Sequence, residues 1–223
     1  MKFSIRFLVS ALLATVHPAS AATLSTLSMA GAGFVLVTWN TWKSQSFSLS
    51  APAVSSEVVS LTLRLEVIVP NANFVVRIVG SRATPGRPDM SDVRAELRPS
   101  SMPSGTAVQT VSFARDPGLI FPPLEADTTY WLIAGMTDQD YDQPTPSGLV
   151  RWHYAGAPGQ APGAESGWAV GTAVASSGTA GENWVPVIQT PFLFSMTAMP
   201  VPEPVTSAML VSAALLVFHR RRV

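Results

Sequence analysis

The chain has no cysteine among its 223 residues. That one absence removes a disulfide scaffold, a thiolate zinc site, an iron–sulfur cluster and a thiol nucleophile. Charge is sparse as well, because 14 basic and 14 acidic side chains account for only 13% of the residues, against the ~25% usual for a soluble domain. Histidine numbers three, and His17 and His219 fall in terminal segments unlike the rest, which leaves His153 alone in the middle. No G-x-S-x-G occurs, so a Ser-His-Asp site has no nucleophile elbow to build on. A net charge of zero offers no footprint for nucleic acid. Apolar residues are plentiful at 47%, with 19 prolines and 15 glycines. The length suits one domain with accessories and a substantial core.

The two ends differ from the body. Lys2 and Arg6 precede the apolar run Phe7 to Val16, and Ala19-Ser20-Ala21 follows. A basic region, a short apolar region and an A-x-A site make a secretory signal peptide, with cleavage expected after Ala21 and Ala22 as the alternative. At the other end Met199-Pro200-Val201-Pro202-Glu203-Pro204 leads into the uncharged stretch Val205 to Phe218 and then His219-Arg220-Arg221-Arg222-Val223. Prolines at alternate positions remove backbone donors and disfavour helix in the residues before them. Val205 to Phe218 would be ~21 Å long as a helix, a shallow membrane span. The three terminal arginines are expected to stay in the cytoplasm with the rest of the chain outside.

Val-Pro-Glu-Pro, a helix of small and aliphatic residues and an Arg-rich end, closing a chain that opens with a signal peptide, resemble the PEP-CTERM sorting signal. The resemblance covers about the last 24 residues. It implies an exosortase substrate of a Gram-negative bacterium, with Val201, Pro202, Glu203, Pro204 and Arg220, Arg221 and Arg222 as the sorting residues. It further implies signal peptidase and exosortase as partners during export, an inner-membrane-anchored precursor held by its C-terminal helix, and a final place at the cell surface or in an exopolysaccharide or biofilm matrix. The expected organisation is a signal peptide over 1–21, a secreted domain over 22–199 and the sorting signal over 200–223. Without its ends the body carries nine basic and 13 acidic residues, a formal charge of −4.

The body reads as strands. Leu61, Leu63, Leu65, Val67 and Val69 alternate with polar residues at period two. Pro70-Asn71-Ala72-Asn73 supplies a turn, and Phe74 to Val79 resumes as a second strand, so a hairpin is expected. Val108 to Phe113, Leu119 to Phe121, Thr128 to Ala134, Leu149 to Tyr154, Gly167 to Val170, Trp184 to Val187 and Pro191 to Ala198 are further short runs bounded by Gly, Pro, Ser or Asn. Met90 to Arg98 is the one helical candidate, while Ala155 to Gly167 and Ala173 to Gly181 read as surface loops. The expected fold is all-β, an antiparallel β-sandwich or jelly roll flanked by an N-terminal signal helix and a C-terminal hydrophobic helix.

The strand pair Val59 to Val69 and Phe74 to Val79, then Leu124-Glu125-Ala126-Asp127-Thr128-Thr129-Tyr130-Trp131-Leu132, Trp152-His153-Tyr154, Gly167-Trp168 and Pro191-Phe192-Leu193-Phe194-Ser195 are similar to the choice-of-anchor R domain. That resemblance implies a secreted β-sandwich with interchangeable C-terminal anchors and no assigned activity. The segment Arg82 to Pro103 matches it poorly.

Candidate chemistry is thin. Asp138, Asp140 and Asp142 sit at alternate loop positions where they could face calcium, but the glycine and glutamate of an EF-hand loop are missing, and a solvated acidic loop is the expectation. Glu57, Glu66, Glu125, Glu165 and Glu182 are scattered, with no spacing that selects a glycosidase pair. Trp152 and Tyr154 share a strand face, and together with Trp168 they are candidate glycan contacts if exposed, since flat aromatic rings stack on sugars; core filling is the competing reading. The chain therefore reads as a non-enzyme without cofactor.

Overall fold

Period-two alternation and β-branched residues fill the middle of the chain, and the computed structural model forms strands there. It describes residues 21–50, 54–82, 86–137, 148–156, 163–164, 167–187 and 191–201. Thirteen strands follow in order: β1 (Ala22–Ser25), β2 (Gly31–Val37), β3 (Trp42–Leu49), β4 (Ser56–Val69), β5 (Phe74–Ser81), β6 (Pro88–Pro99), β7 (Gly105–Arg115), β8 (Thr128–Met136), β9 (Leu149–Ala155), β10 (Gly163–Ala164), β11 (Trp168–Ser177), β12 (Trp184–Val187) and β13 (Phe194–Pro200). No helix occurs among the described residues. The protein is all-β and wholly antiparallel.

The strands form one sheet in the order β10-β1-β13-β4-β7-β6-β5-β8-β3-β11-β12, with β9 and β2 branching from β4. The branch exists because β4 is long. One of its edges pairs with β7, while the other pairs with β13 over Ser56–Leu63 and then with β9 over Leu65–Val69. β11 comes back beside β1 and β10, so the sheet turns over on itself and encloses a core. Leu61, Leu63, Leu65 and Val67 of β4 lie in one cluster with Phe74, Val76 and Ile78 of β5 and Tyr130 and Leu132 of β8. Each such fully buried side chain contributes about 1.5–3 kcal/mol.

β8 is buried on both faces. Its other side places Trp131 and Ile133 in a second cluster with Trp42, Val79, Ala175 and Trp184. Gly135 makes that packing fit, since a Cβ there would run into the Trp42 indole. The inner layers are tied by Gln45, which is fully buried. Its amide donates to the Gly171 carbonyl at 2.7 Å and its oxygen accepts the Phe192 N–H at 3.2 Å. Gly171 lies in the β11 bulge between Val170 and Val174, where the ladder with β3 is interrupted.

Four expectations are corrected. β4 and β5 are not a hairpin, because β4 pairs with β7, β9 and β13 and β5 pairs with β6 and β8. The Asn71 turn, with Asn73 N–H on Asn71 Oδ1 at 2.7 Å, carries the chain across the core so that both apolar faces meet instead of lying side by side. Met90 to Arg98 is part of strand β6, not a helix; pairing with β5 and β7 overrides its local propensity. Residues from Ala173 to Ser177 belong to β11, and the loop is confined to its end. Leu119 to Phe121 is not a strand but follows a turn in which Leu119 N–H bonds the Asp116 carbonyl at 3.1 Å. The helices expected at both termini fall outside the described residues. No helix among the described residues is long and apolar enough to cross a membrane.

Candidate functional site

The aromatic candidates fail on accessibility. Trp152 is 0% and Trp168 7% exposed. Trp152 stacks on Phe192 with ring centroids 4.2 Å apart, and its Nε1 donates to the Leu193 carbonyl. Trp168 lies parallel to Phe47 at 6.2 Å. Neither ring is open to a sugar, and of the two readings weighed for them core filling is the one that fits their burial. Tyr154 is half-buried against the same core and lies over Gly33, where a Cβ would meet its hydroxyl. Indoles placed on inward strand positions are worth more as core filling than as a platform.

Of the processing residues, Ala21 is exposed and immediately precedes β1, and Val201 closes β13 by donating its N–H to the Ser55 carbonyl at 2.8 Å. Ala19, Pro202, Glu203, Pro204, Arg220, Arg221 and Arg222 lie outside the described residues. So do Asp138, Asp140 and Asp142. Among the described residues no group of three His, Asp or Glu side chains could hold a metal ion.

Four of the described carboxylates are held closely by arginines. Arg115 reaches Glu57 at 2.6 Å, Arg151 reaches Glu66 at 2.9 Å, Arg77 and Arg98 share Glu96, and Arg94 grips Asp92 at 2.7 Å. Burial pushes the Glu96 carboxyl up, but the bonds and charges of Arg77 and Arg98 outweigh it and hold it below the usual range. These pairs lie on outward strand faces, where they satisfy the sheet surface.

A polar cluster surrounds the only histidine of the body. His153 Nε2 lies 3.9 Å from Glu66 Oε2, beyond hydrogen-bond reach, and both it and Arg151 Nε are buried without a partner. Burial lowers the His153 pKa; Glu66 opposes that and Arg64 and Arg151 reinforce it. The imidazole is therefore neutral at neutral pH. The Arg151 guanidinium covers the Phe34 ring at 4.2 Å.

A groove of about 760 Å³ is lined by polar groups from two parts of the chain, within the size range of small-ligand sites. Arg82, Asp89, Met90 and Ser91 come from the end of β5 and the start of β6, and Ala180, Gly181 and Glu182 from the loop between β11 and β12. The Ser91 hydroxyl and N–H both bond Asp89, holding its carboxyl below the usual range. The loop wall is conformationally specific: Ala180 has φ 51° and Gly181 φ 92°, and their N–H groups bond Asn40 O and Ser177 Oγ. A left-handed alanine stores strain that tertiary bonds must offset.

Nothing in the sequence pattern marks this groove, because its walls lie about ninety positions apart and meet only through the β5-β8-β3-β11 order. No protein-family model, curated protein or solved structure matches the chain.

Proposed function

We propose that the chain is an exported surface or extracellular-matrix protein, sorted by an exosortase of a Gram-negative bacterium, whose sandwich-like body is non-catalytic and is associated with exopolysaccharide. The observation that carries this reading is the position of the two processing boundaries. β1 begins at Ala22, and Ala22 pairs with Ala198 of β13, so both boundaries fall at the same end of the sheet. Ala21 precedes β1 without belonging to it, and Val201, the last described residue, follows the end of β13. Cleavage at either boundary would then remove none of the described strands and none of the described core residues. A body in which Glu57, Glu66, Asp92 and Glu96 are held by arginines, and whose His153 Nε2 is buried without a hydrogen-bond partner, fits a structural role.

Intact-mass measurement of the protein recovered from its native surface tests this. A chain lacking residues 1–21 and the segment beyond the Pro202-Glu203-Pro204 motif is expected. An unprocessed chain recovered from cytosol would refute it.

A second reading, recognition of a sugar chain, is favoured by the groove. Arg82, Asp89 and Glu182 are planar groups able to pair with neighbouring hydroxyls, beside the apolar Met90. Glycan-array binding that is lost in Asp89→Ala and Glu182→Ala would support it, and absence of binding to any neutral glycan would remove it.

A further inference from the structure

The branched sheet ends at three places, and they are not guarded alike. β10 is two residues long, and β12 carries Pro186, which cannot donate to a further strand. β2 is seven residues, Gly-Ala-Gly-Phe-Val-Leu-Val, with no charge and no proline, and among the described residues it pairs only with β9. Phe34 and Leu36 are each 43% exposed on its outer side. An uncharged strand with one open edge lacks the devices that normally block edge-to-edge pairing.

The backbone direction of that edge can be worked out. His153 O accepts from Leu193 N at 2.8 Å and Ala155 N donates to Pro191 O at 2.9 Å, so these residues of β9 point away from β2. Alternation along an antiparallel strand then turns Trp152 and Tyr154 toward β2. Their partners Val35 and Gly33 spend their backbone groups on β9. Phe34 and Leu36 are left with N–H and C=O aimed at the open side.

We propose that β2 is a self-association edge, on which β2 of a second copy of this chain adds in antiparallel fashion about a two-fold axis at Val35. In that register Phe34 of one copy faces Leu36 of the other twice over, each pair exchanging both backbone hydrogen bonds. The same symmetry places the two exposed apolar side chains against each other on the outer face, a favourable cross-strand pairing. A second copy is the fitting occupant because the strands themselves carry no charge, because the Arg151 guanidinium over Phe34 is already paired with Glu66, and because the apolar pair is reciprocal only between identical strands. A strand-only contact is small beside the ~1,200–2,000 Å² of standard interfaces, so association should grow with concentration.

The absence of native cysteine supplies the test. In the full chain, Phe34→Cys combined with Leu36→Cys would bring thiols opposite one another at a Cα separation of ~5.5 Å, inside disulfide range. The double variant should form a covalent dimer on mild oxidation, and each single variant several-fold less, because its thiol faces no thiol. Equal cross-linking of single and double variants, or none in the double, would overturn the register. Separately, sedimentation of the unmodified chain should show a dimer that Phe34→Lys with Leu36→Lys disperses while the thermal midpoint stays within a few degrees. A unmodified chain that is monomeric at every concentration, or a lysine variant still dimeric, would overturn the edge itself.

Discussion

Replacing Gln45 by leucine examines the tie between the layers most directly. The side chain is fully buried and makes bonds that no neighbour replaces: its Nε2 serves Gly171 O, out of the ladder at the β11 bulge, and its Oε1 serves Phe192 N–H ahead of β13. Nε2 also reaches its neighbour's carbonyl, Ser46 O, at 3.1 Å, and Ala173 O at 3.3 Å, of which Ala173 O keeps the Ser46 hydroxyl at 2.9 Å. Two backbone groups therefore lose their partner in the dry interior, at ~1–3 kcal/mol each. The leucine gives back about 1 kcal/mol of apolar burial, so the net loss should be ~1–5 kcal/mol, a large share of the ~5–15 kcal/mol of a typical domain. Urea unfolding should show a lower midpoint at unchanged slope, and the melting temperature should fall by ~2–20 °C. Gln45→Glu adds a sign. A buried glutamate facing Gly171 O has its folded pKa raised, so its stability deficit should be smallest below about pH 4.3, the unfolded value, and deepen as pH rises toward the raised folded value. A Gln45→Leu protein within ~0.5 kcal/mol of the parent, the range of neutral surface changes, would refute the bridging role.

Further outcomes follow from the same geometry. Trp152→Ala should cost ~3–5 kcal/mol of stability, read by denaturant unfolding; a neutral effect would mean that the Phe192 stack is not part of the core. Because burial depresses the His153 pKa below its ordinary 6.5, the unfolded chain binds the proton first. Stability should therefore be fully present above pH 6.5 and decline as pH falls, until His153 is charged in the fold too. His153→Gln should flatten that part of the profile, and an unchanged slope would show that other groups set it. Gly135→Ala should destabilise by ~1–3 kcal/mol through overpacking on Trp42, and Trp42→Leu in the same chain should recover part of the loss.

The alternation in Leu61 to Val69 marks which face of β4 is buried: the structure places Leu61, Leu63, Leu65 and Val67 inside, but Val69, at the strand's end, is exposed. Proline and glycine punctuation likewise marked most strand ends. Sequence could not tell which strands are neighbours. A tight turn after Val69 suggests a hairpin, yet the chain crosses to the opposite layer, because a residue's preference for extended backbone carries no information about its partner. Met90 to Arg98 is ambiguous for the same reason: its arginines and glutamate suit a helix surface as well as a strand face paired across β5 and β6. Exposure of the tryptophans was the other unknown. Trp152 and Trp168 sit on strands either way, and only the enclosing sheet makes their faces interior.

The export and sorting readings rest on sequence alone, since apolar length, alternate prolines and terminal charge act through local chemistry that needs no fold. The class of fold was also written locally, because side chains at period two and frequent breakers leave a chain few options besides short antiparallel strands. Everything that depends on distant residues meeting was decided by tertiary structure. The branched pairing of β4, the groove between Asp89 and Glu182 and the open flank of β2 arise where segments far apart in the chain close on one core, and which segments close together is a property of packing the whole sheet rather than of any stretch within it.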